Sequence, residues 1–145
     1  MTTNIPRPTA VARSLEIFSD PWSFSVLQEL FFGVKRFDEF QKNLEISRSV
    51  LTRRLRHLEE QGIIERQLYS QRPNRYEYKL TEMGKDMYPI FVSLRQWGEH
   101  WLENAKTPDL KLIHKSCDHS LKLKLICDHC GEEVKAADIH FCSNK

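Results

Sequence analysis

A mainly α chain with a small β component (α+β class) is predicted by three observations. Apolar residues recur at helical spacing from Val11 to Leu58. The period drops to two across residues 63–80, and helical spacing then returns from Thr81 to about Lys106. All four cysteines, 117, 127, 130 and 142, lie in the last thirty residues, which sets a short tail apart. The expected division is therefore a core-forming domain at 1–106 and a small module at 107–145, a length that allows one domain plus an appendage.

Residues 1–9 hold Pro6 and Pro8 and few apolar side chains, so a loose arm is expected. Val11, Leu15 and Phe18 repeat at i, i+4 and i+7, a first helix ending near Ser19. Asp20 before Pro21 reads as an N-cap followed by proline at the first helical position. The helix over 21–32 is expected to bury Trp22, Val26, Leu27, Leu30 and Phe31, and Gly33 stops it. Residues 34–37 leave room for a short strand, and Phe37, Phe40 and Leu44 mark a third helix of about two turns.

Glu45 and Ile46 join that helix to SRSVLTRRLRHLEEQG, residues 47–62, opened by the cap-capable Ser47 and closed by Gly62. Leu51, Leu55 and Leu58 share one face and require burial. The opposite face carries Ser49, Thr52, Arg53 and Arg56, with Arg48 at its leading edge and no acid before Glu59 and Glu60. Guanidinium forks hold phosphates and guanine edges through paired hydrogen bonds, so this face suits DNA. A plain solvated helix face is the competing reading. Arg54 projects toward the leucine side and is expected to bond within the domain.

Two strand-like runs follow, at 63–69 and 75–80, with Tyr76, Tyr78 and Leu80 on one face of the second. Their connector, 70–74, is turn chemistry, with Arg72 and Arg75 at and beside its tip. A short helix, a tight turn, a long helix and a hairpin make a winged helix-turn-helix. Its wing would take Arg72 and Arg75 to the phosphates or a minor groove, although a solvated hairpin has the same pattern. Thr81 then caps a long final helix, kinked at Pro89 because the proline ring excludes the bond to residue 85. Met83, Met87, Ile90, Phe91, Leu94, Trp97 and Trp101 form a stripe too large and aromatic for a free surface. Part of it should cover the domain's own core and the rest should meet a second subunit.

The net charge of +2 is too small to argue nucleic-acid binding alone, so its distribution decides. Between Ile46 and Arg75 seven arginines face three acids, an excess of +4 that exceeds that of the whole chain. No run approaches the ~18 apolar residues of a membrane span, and no signal-peptide core opens the chain, so a cytosolic protein is expected. No cofactor loop, paired carboxylates or nucleophile with an orienting base appears, which argues against an enzyme.

From Val11 to Leu102 the sequence resembles the HxlR family of bacterial winged helix-turn-helix regulators. The resemblance rests on Val11-Ala12-Arg13-Ser14-Leu15, Trp22, the run Val26-Leu27-Gln28-Glu29-Leu30-Phe31-Phe32-Gly33, and Arg36-Phe37-Asp38-Glu39-Phe40. It continues through Ile46-Ser47, Leu51, Arg54-Leu55, Leu58-Glu59, Tyr78, Leu80-Thr81, Gly84, Pro89 and Trp97. It implies a homodimeric repressor or activator in the bacterial cytosol, bound to double-stranded DNA. The first and last helices would build the dimer interface, here through Val11, Leu15, Phe91, Leu94, Trp97 and Trp101. Many such proteins carry a sensing cysteine followed by proline just before the Val-Ala-Arg run. This chain has Thr9-Ala10 there, so that sensing chemistry does not carry over.

The tail has a separate chemistry. His114-x2-Cys117 and Cys127-x2-Cys130 are ligand pairs separated by nine residues, the skeleton of a zinc ribbon holding Zn2+. Residues 121–126 alternate as a strand should, and Gly131 permits the turn after the second pair, where the first pair has Asp118. His119 competes with His114 for the fourth ligand position, with His129, His140 and Cys142 behind it. A free-thiol hairpin or a reversible Cys127–Cys130 disulfide are the alternatives. The leading reading is a homodimeric DNA-binding transcription regulator on a pseudo-palindromic site, with room for a small-molecule effector. A redox- or metal-responsive sensor working through the tail and a winged-helix protein-interaction module are the rivals.

Overall fold

A computed structural model describes residues 9–105 and 110–142. The expected arm at 1–8 and the domain boundary at 106–109 lie outside the described residues. The chain forms two compact units, meeting in sequence at Tyr88 and Pro89.

The first unit runs α1 (Thr9–Ile17), α2 (Pro21–Phe31), α3 (Phe37–Leu44), α4 (Arg48–Glu60), β1 (Ile64–Gln71), β2 (Asn74–Leu80) and α5 (Glu82–Lys85). Its core is one cluster in which Val26, Leu27 and Leu30 of α2 pack with Phe40 of α3 and Leu51, Leu55 and Leu58 of α4. Ile46 in the α3–α4 turn and Ile63 and Ile64 at the foot of the hairpin complete it. Fully burying an aliphatic side chain contributes about 1.5–3 kcal/mol, so the leucine face of α4 alone is a large share of the unit's stabilisation.

Caps set the helix ends where the sequence places them. The Asp20 carboxylate accepts the Ser23 N–H at 2.8 Å, with Pro21 just inside α2. Ser47 accepts the Val50 N–H at the start of α4. At its end Gly62, at φ 76°, donates to the Glu59 carbonyl while Ile63 donates to Leu58. That left-handed glycine turns the chain into β1. Asn43 donates to Glu29 at 2.9 Å and ties α3 to α2.

Strands β1 and β2 pair antiparallel from Ile64↔Leu80 to Gln71↔Asn74, with a bulge between Leu68 and Ser70. Gln71 and Asn74 join the ladder, so the tip narrows to Arg72 and Pro73 rather than the five-residue connector expected from composition. No strand forms at 34–37. The Tyr78 N–H donates to the Lys35 carbonyl at 2.8 Å, and Phe37 already begins α3. Trp22, expected in the core, is 36% exposed, because the buried side of α2 is set by Ser23, Val26, Leu27 and Leu30.

The single long helix expected from Thr81 is two helices, α5 and then α6 (Tyr88–Trp101). Pro89 is the second residue of α6, where its missing N–H has no intrahelical partner to lose, so the chain restarts instead of kinking. The helix ends at Trp101 rather than near Lys106, and Asn104 follows at φ 58°. Phe91, expected at a subunit interface, is only 3% exposed and therefore lies inside its own chain. Leu94, Trp97 and Trp101 stay exposed on α6, as Val11 and Leu15 do on α1.

In the second unit α6 is joined by β3 (Ile113–His114) and β4 (His119–Ser120), paired antiparallel. An isolated bridge pairs Ile126 with Glu133. The strand expected at 121–126 reduces to that bridge residue. In place of a neighbouring strand the Gln96 side chain takes both backbone groups of Leu123, accepting its N–H at 2.5 Å and donating to its carbonyl at 3.2 Å. Arg95 donates to the Leu110 carbonyl at 2.7 Å and pairs with Glu99 at 2.7 Å.

The start of α5 lies hard against the foot of the hairpin. Thr81 donates through its hydroxyl to the Gly62 carbonyl at 2.6 Å and accepts the Gly84 N–H. A Cβ on buried Gly84 would stand 2.2 Å from the Ile63 carbonyl oxygen, which is backbone and cannot swing away. Gly84→Ala should therefore cost about 2–3 kcal/mol, read as a lower urea midpoint with the slope unchanged.

A candidate nucleic-acid interface

The exposed side of α4 is built by the same spacing that buries its leucines. Arg48, Ser49, Thr52, Arg53 and Arg56 are all exposed. Arg48 rests its guanidinium over the Phe37 ring, 5.0 Å from the centroid. The Thr52 hydroxyl donates to the Arg48 carbonyl at 2.8 Å, which leaves its lone pairs outward. Arg53 and Arg56 make no hydrogen bond or ion pair among the described residues.

The local arginine excess divides sharply. Arg54 is the most enclosed of the group and donates through Nη1 to Asp20 Oδ2 at 3.1 Å, the internal role its helical projection implies. Arg66 at the base of the wing pairs with Glu59 at 3.5 Å and stacks on Tyr76. Arg36 pairs with Glu77 at 3.5 Å and stacks on Tyr69. Arg72 and Arg75 are exposed at and beside the tip, unpaired among the described residues. The aromatic platforms Phe37, Tyr69 and Tyr76 were not foreseen, because each meets an arginine from another element and no spacing rule connects them.

The polar joint beneath α4 fixes which way this face points. Asp20 accepts from the Ser23 hydroxyl at 2.6 Å and its N–H at 2.8 Å as well as from Arg54, and Ser23 is fully buried. At the other end of α4, His57 Nε2 stands 3.0 Å from the Ile17 carbonyl. Burial opposes ionisation of Asp20, but the hydrogen bonds from Ser23 together with Arg54 outweigh it and hold the carboxyl below the ordinary aspartate range.

Of the tail residues, His114 Nδ1 lies 3.4 Å from Cys117 Sγ. Hydrogen bonds from the backbone N–H of Cys130 and of His129, and from the Cys130 thiol, hold the Cys127 thiol below its usual range. No three His, Cys, Asp or Glu side chains converge on a metal-sized position among the described residues. The spacing thus forms two pairs, while the one cluster of His114, Cys117, Cys127 and Cys130 read from it is not assembled here.

A helix-turn-helix whose second helix presents unpaired arginines, followed by a two-stranded wing, defines the class of winged DNA-binding transcription regulators. The chain belongs to the HxlR-like helix-turn-helix family, whose model matches residues 17–106. It is 43% identical over 130 residues to the uncharacterized HTH-type transcriptional regulator Rv3095 of Mycobacterium tuberculosis, covering 90% of this chain and 82% of that protein. The crystal structure of PA1607, a protein assigned as a transcription factor, superposes with TM-score 0.81 at 28% identity over 99% of this chain and 97% of that one. The redox regulator HypR in its oxidized form matches with TM-score 0.58 at 36% identity, over 63% of this chain and 95% of that one. The chain is thus a helix-turn-helix transcriptional regulator and not an enzyme. None of the described helices is long and apolar enough to cross a membrane.

Removing the Asp20 carboxylate takes away a cap and a charged partner together. Asp20→Ala should cost about 2–3 kcal/mol, and a double-mutant cycle with Arg54→Ala should return a coupling of roughly 1 kcal/mol. Because the folded pKa is depressed, this stability is present above the unfolded value of about 3.9 and is lost as pH falls through the lower folded value. Acid unfolding of Asp20→Asn should accordingly depend less on pH below about 4 than that of the wild type.

Proposed function

We propose that the protein acts as a homodimer on a pseudo-palindromic DNA site, with α4 in the major groove and the β1–β2 tip against the backbone. Half-sites would lie roughly one helical turn, or a multiple of one, apart. The observation that carries this reading is the partition of arginines. Those on the outer face of α4 and at the wing tip are unpaired among the described residues, while Arg54, Arg66 and Arg36 are held by acids. Arg53 and Arg56 are the base-reading candidates, with Ser49 and Thr52 beside them and Arg48, Arg72 and Arg75 placed for phosphates.

Two exposed apolar stripes support the dimer. Ile90, Leu94, Trp97 and Trp101 follow one face of α6, with Trp97 56% and Trp101 68% exposed, and Val11 and Leu15 do the same on α1. Rings of that size left in water are a strong drive to associate. Whether the regulator represses or activates depends on where its site lies relative to a promoter.

Arg53→Ala should weaken specific binding by ~1–3 kcal/mol. Arg72→Ala should weaken all sequences about equally and flatten the dependence of log K on log salt. Gel-shift titrations at several salt concentrations read both, and unchanged affinity in Arg53→Ala and Arg56→Ala would sink the assignment of α4.

Trp97→Glu should sediment as monomer and lose affinity for a two-half-site duplex, because a charge in the stripe leaves the partner face uncovered. A wild-type chain that sediments as monomer at micromolar concentration contradicts the dimer.

A further inference from the structure

The two x2 pairs of the tail stand at turns that close in the same way. In the first, the Asp118 N–H donates to the His114 carbonyl at 2.8 Å and Asp118 is left-handed, at φ 57°. In the second, the Gly131 N–H donates to the Cys127 carbonyl at 2.8 Å and Gly131 is at φ 77°. The turns share almost no sequence, so the common closure is not a repeat of one local preference. A left-handed residue bearing a side chain is disfavoured, yet Asp118 adopts that conformation where the second turn uses glycine. Each turn also ends a hairpin, one on the β3–β4 pair and one on the Ile126–Glu133 bridge.

We propose that the tail is a pair of zinc knuckles, in which His114, Cys117, Cys127 and Cys130 hold one zinc ion. Three thiolates and a neutral imidazole would close a tetrahedral site of the structural kind, the three thiol protons leaving to solvent as the ion binds. The first pair already has the spacing required. A tetrahedral zinc ion puts an imidazole nitrogen and a thiolate sulfur about 3.5 Å apart, and His114 Nδ1 lies 3.4 Å from Cys117 Sγ. His119 stands opposite His114 in the ladder, but its Nδ1 is engaged by the Cys117 carbonyl, which favours His114 as the nitrogen ligand. A dithiol switch explains Cys127 and Cys130 alone. It leaves the first turn without a reason, since a histidine–cysteine pair forms no disulfide and is closed in the same way.

The two pairs do not converge among the described residues, so the ion must draw the turns together. The connection between them allows it. Residues 122–124 join no strand ladder and are held to α6 through Gln96. Ligation and closure are then one event, as in small modules whose metal binding is coupled to folding. Forty residues with few large buried groups gain from such an ion the stability that their own packing does not supply.

The test uses the full-length protein purified under reducing conditions without chelator. Metal analysis should find about one zinc per chain, and cobalt(II) substitution should give the intense visible bands of a tetrahedral thiolate centre. His114→Ala, Cys117→Ser, Cys127→Ser and Cys130→Ser should each weaken zinc by more than the roughly 10–100-fold that losing an outer-shell partner costs, whereas His119→Ala should not. Chelation should expose the tail to protease and leave residues 9–88 intact. Because a ligand variant could simply unfold the tail, the wild-type cobalt spectrum decides independently, and an octahedral spectrum overturns the proposal. Far less than one zinc per chain overturns it too, as does a Cys127–Cys130 disulfide formed by oxidised glutathione while zinc is present. None of these readouts depends on DNA binding.

Discussion

One carboxylate determines how α4 is presented. Asp20 caps α2, satisfies the fully buried Ser23 and holds Arg54, so the start of α2 and the underside of α4 share a joint. Apolar burial cannot do this work, because it is non-directional and tolerates rotation of a helix about its axis. Leu51, Leu55 and Leu58 supply more stabilisation than the joint, yet three leucines in a greasy groove would accept a range of rotations. Hydrogen bonds at 2.6–3.1 Å do not. With His57 at the Ile17 carbonyl, α4 is held near both ends, and its arginine face points outward for that reason.

The wing shows the same division between charges that build and charges left over. At its base Arg36 and Arg66 are each stacked on a tyrosine and paired with a glutamate. Exposed ion pairs of this kind contribute at most about 1 kcal/mol, so their larger effect is on the field. They cancel charge near the core and leave it at the tip. The formal excess of +4 over residues 46–75 therefore overstates the number of cations available to a polyanion while understating how sharply they are placed.

What was legible in the sequence was whatever a short stretch decides alone. Ser47, Asp20-Pro21 and Thr81 cap helices through their own neighbours, and the leucine period of α4 gives the arginine face by subtraction. Arg54 could be assigned inward from the helical wheel, although its acid lies thirty-four residues away. Pro89 was misread because the same residue serves a kink in mid-helix and a start at the first turn, and the break at Asp86 and Met87 has no strong signal. Trp22 was misplaced because an aromatic ring on a helix is not told by spacing alone which rim it occupies. The tail spacing gave each knuckle turn its closure. It carried no information on the distance between the two turns, which the connecting residues set.

The double hydrogen bond from Gln96 to Leu123 has a consequence for how the tail can vary. A backbone gripped through its N–H and carbonyl is indifferent to the side chain it carries, so composition at 122–124 is free to drift. Chain length is not. Four positions separate the grip at Leu123 from Cys127, and an insertion or deletion there would carry the second turn along and round the strand direction relative to α6. Alternation reverses with every added residue, so one extra residue would aim the Cys127 side chain to the other side. The segment behaves as a ruler, read from a glutamine on a helix to a cysteine at a turn.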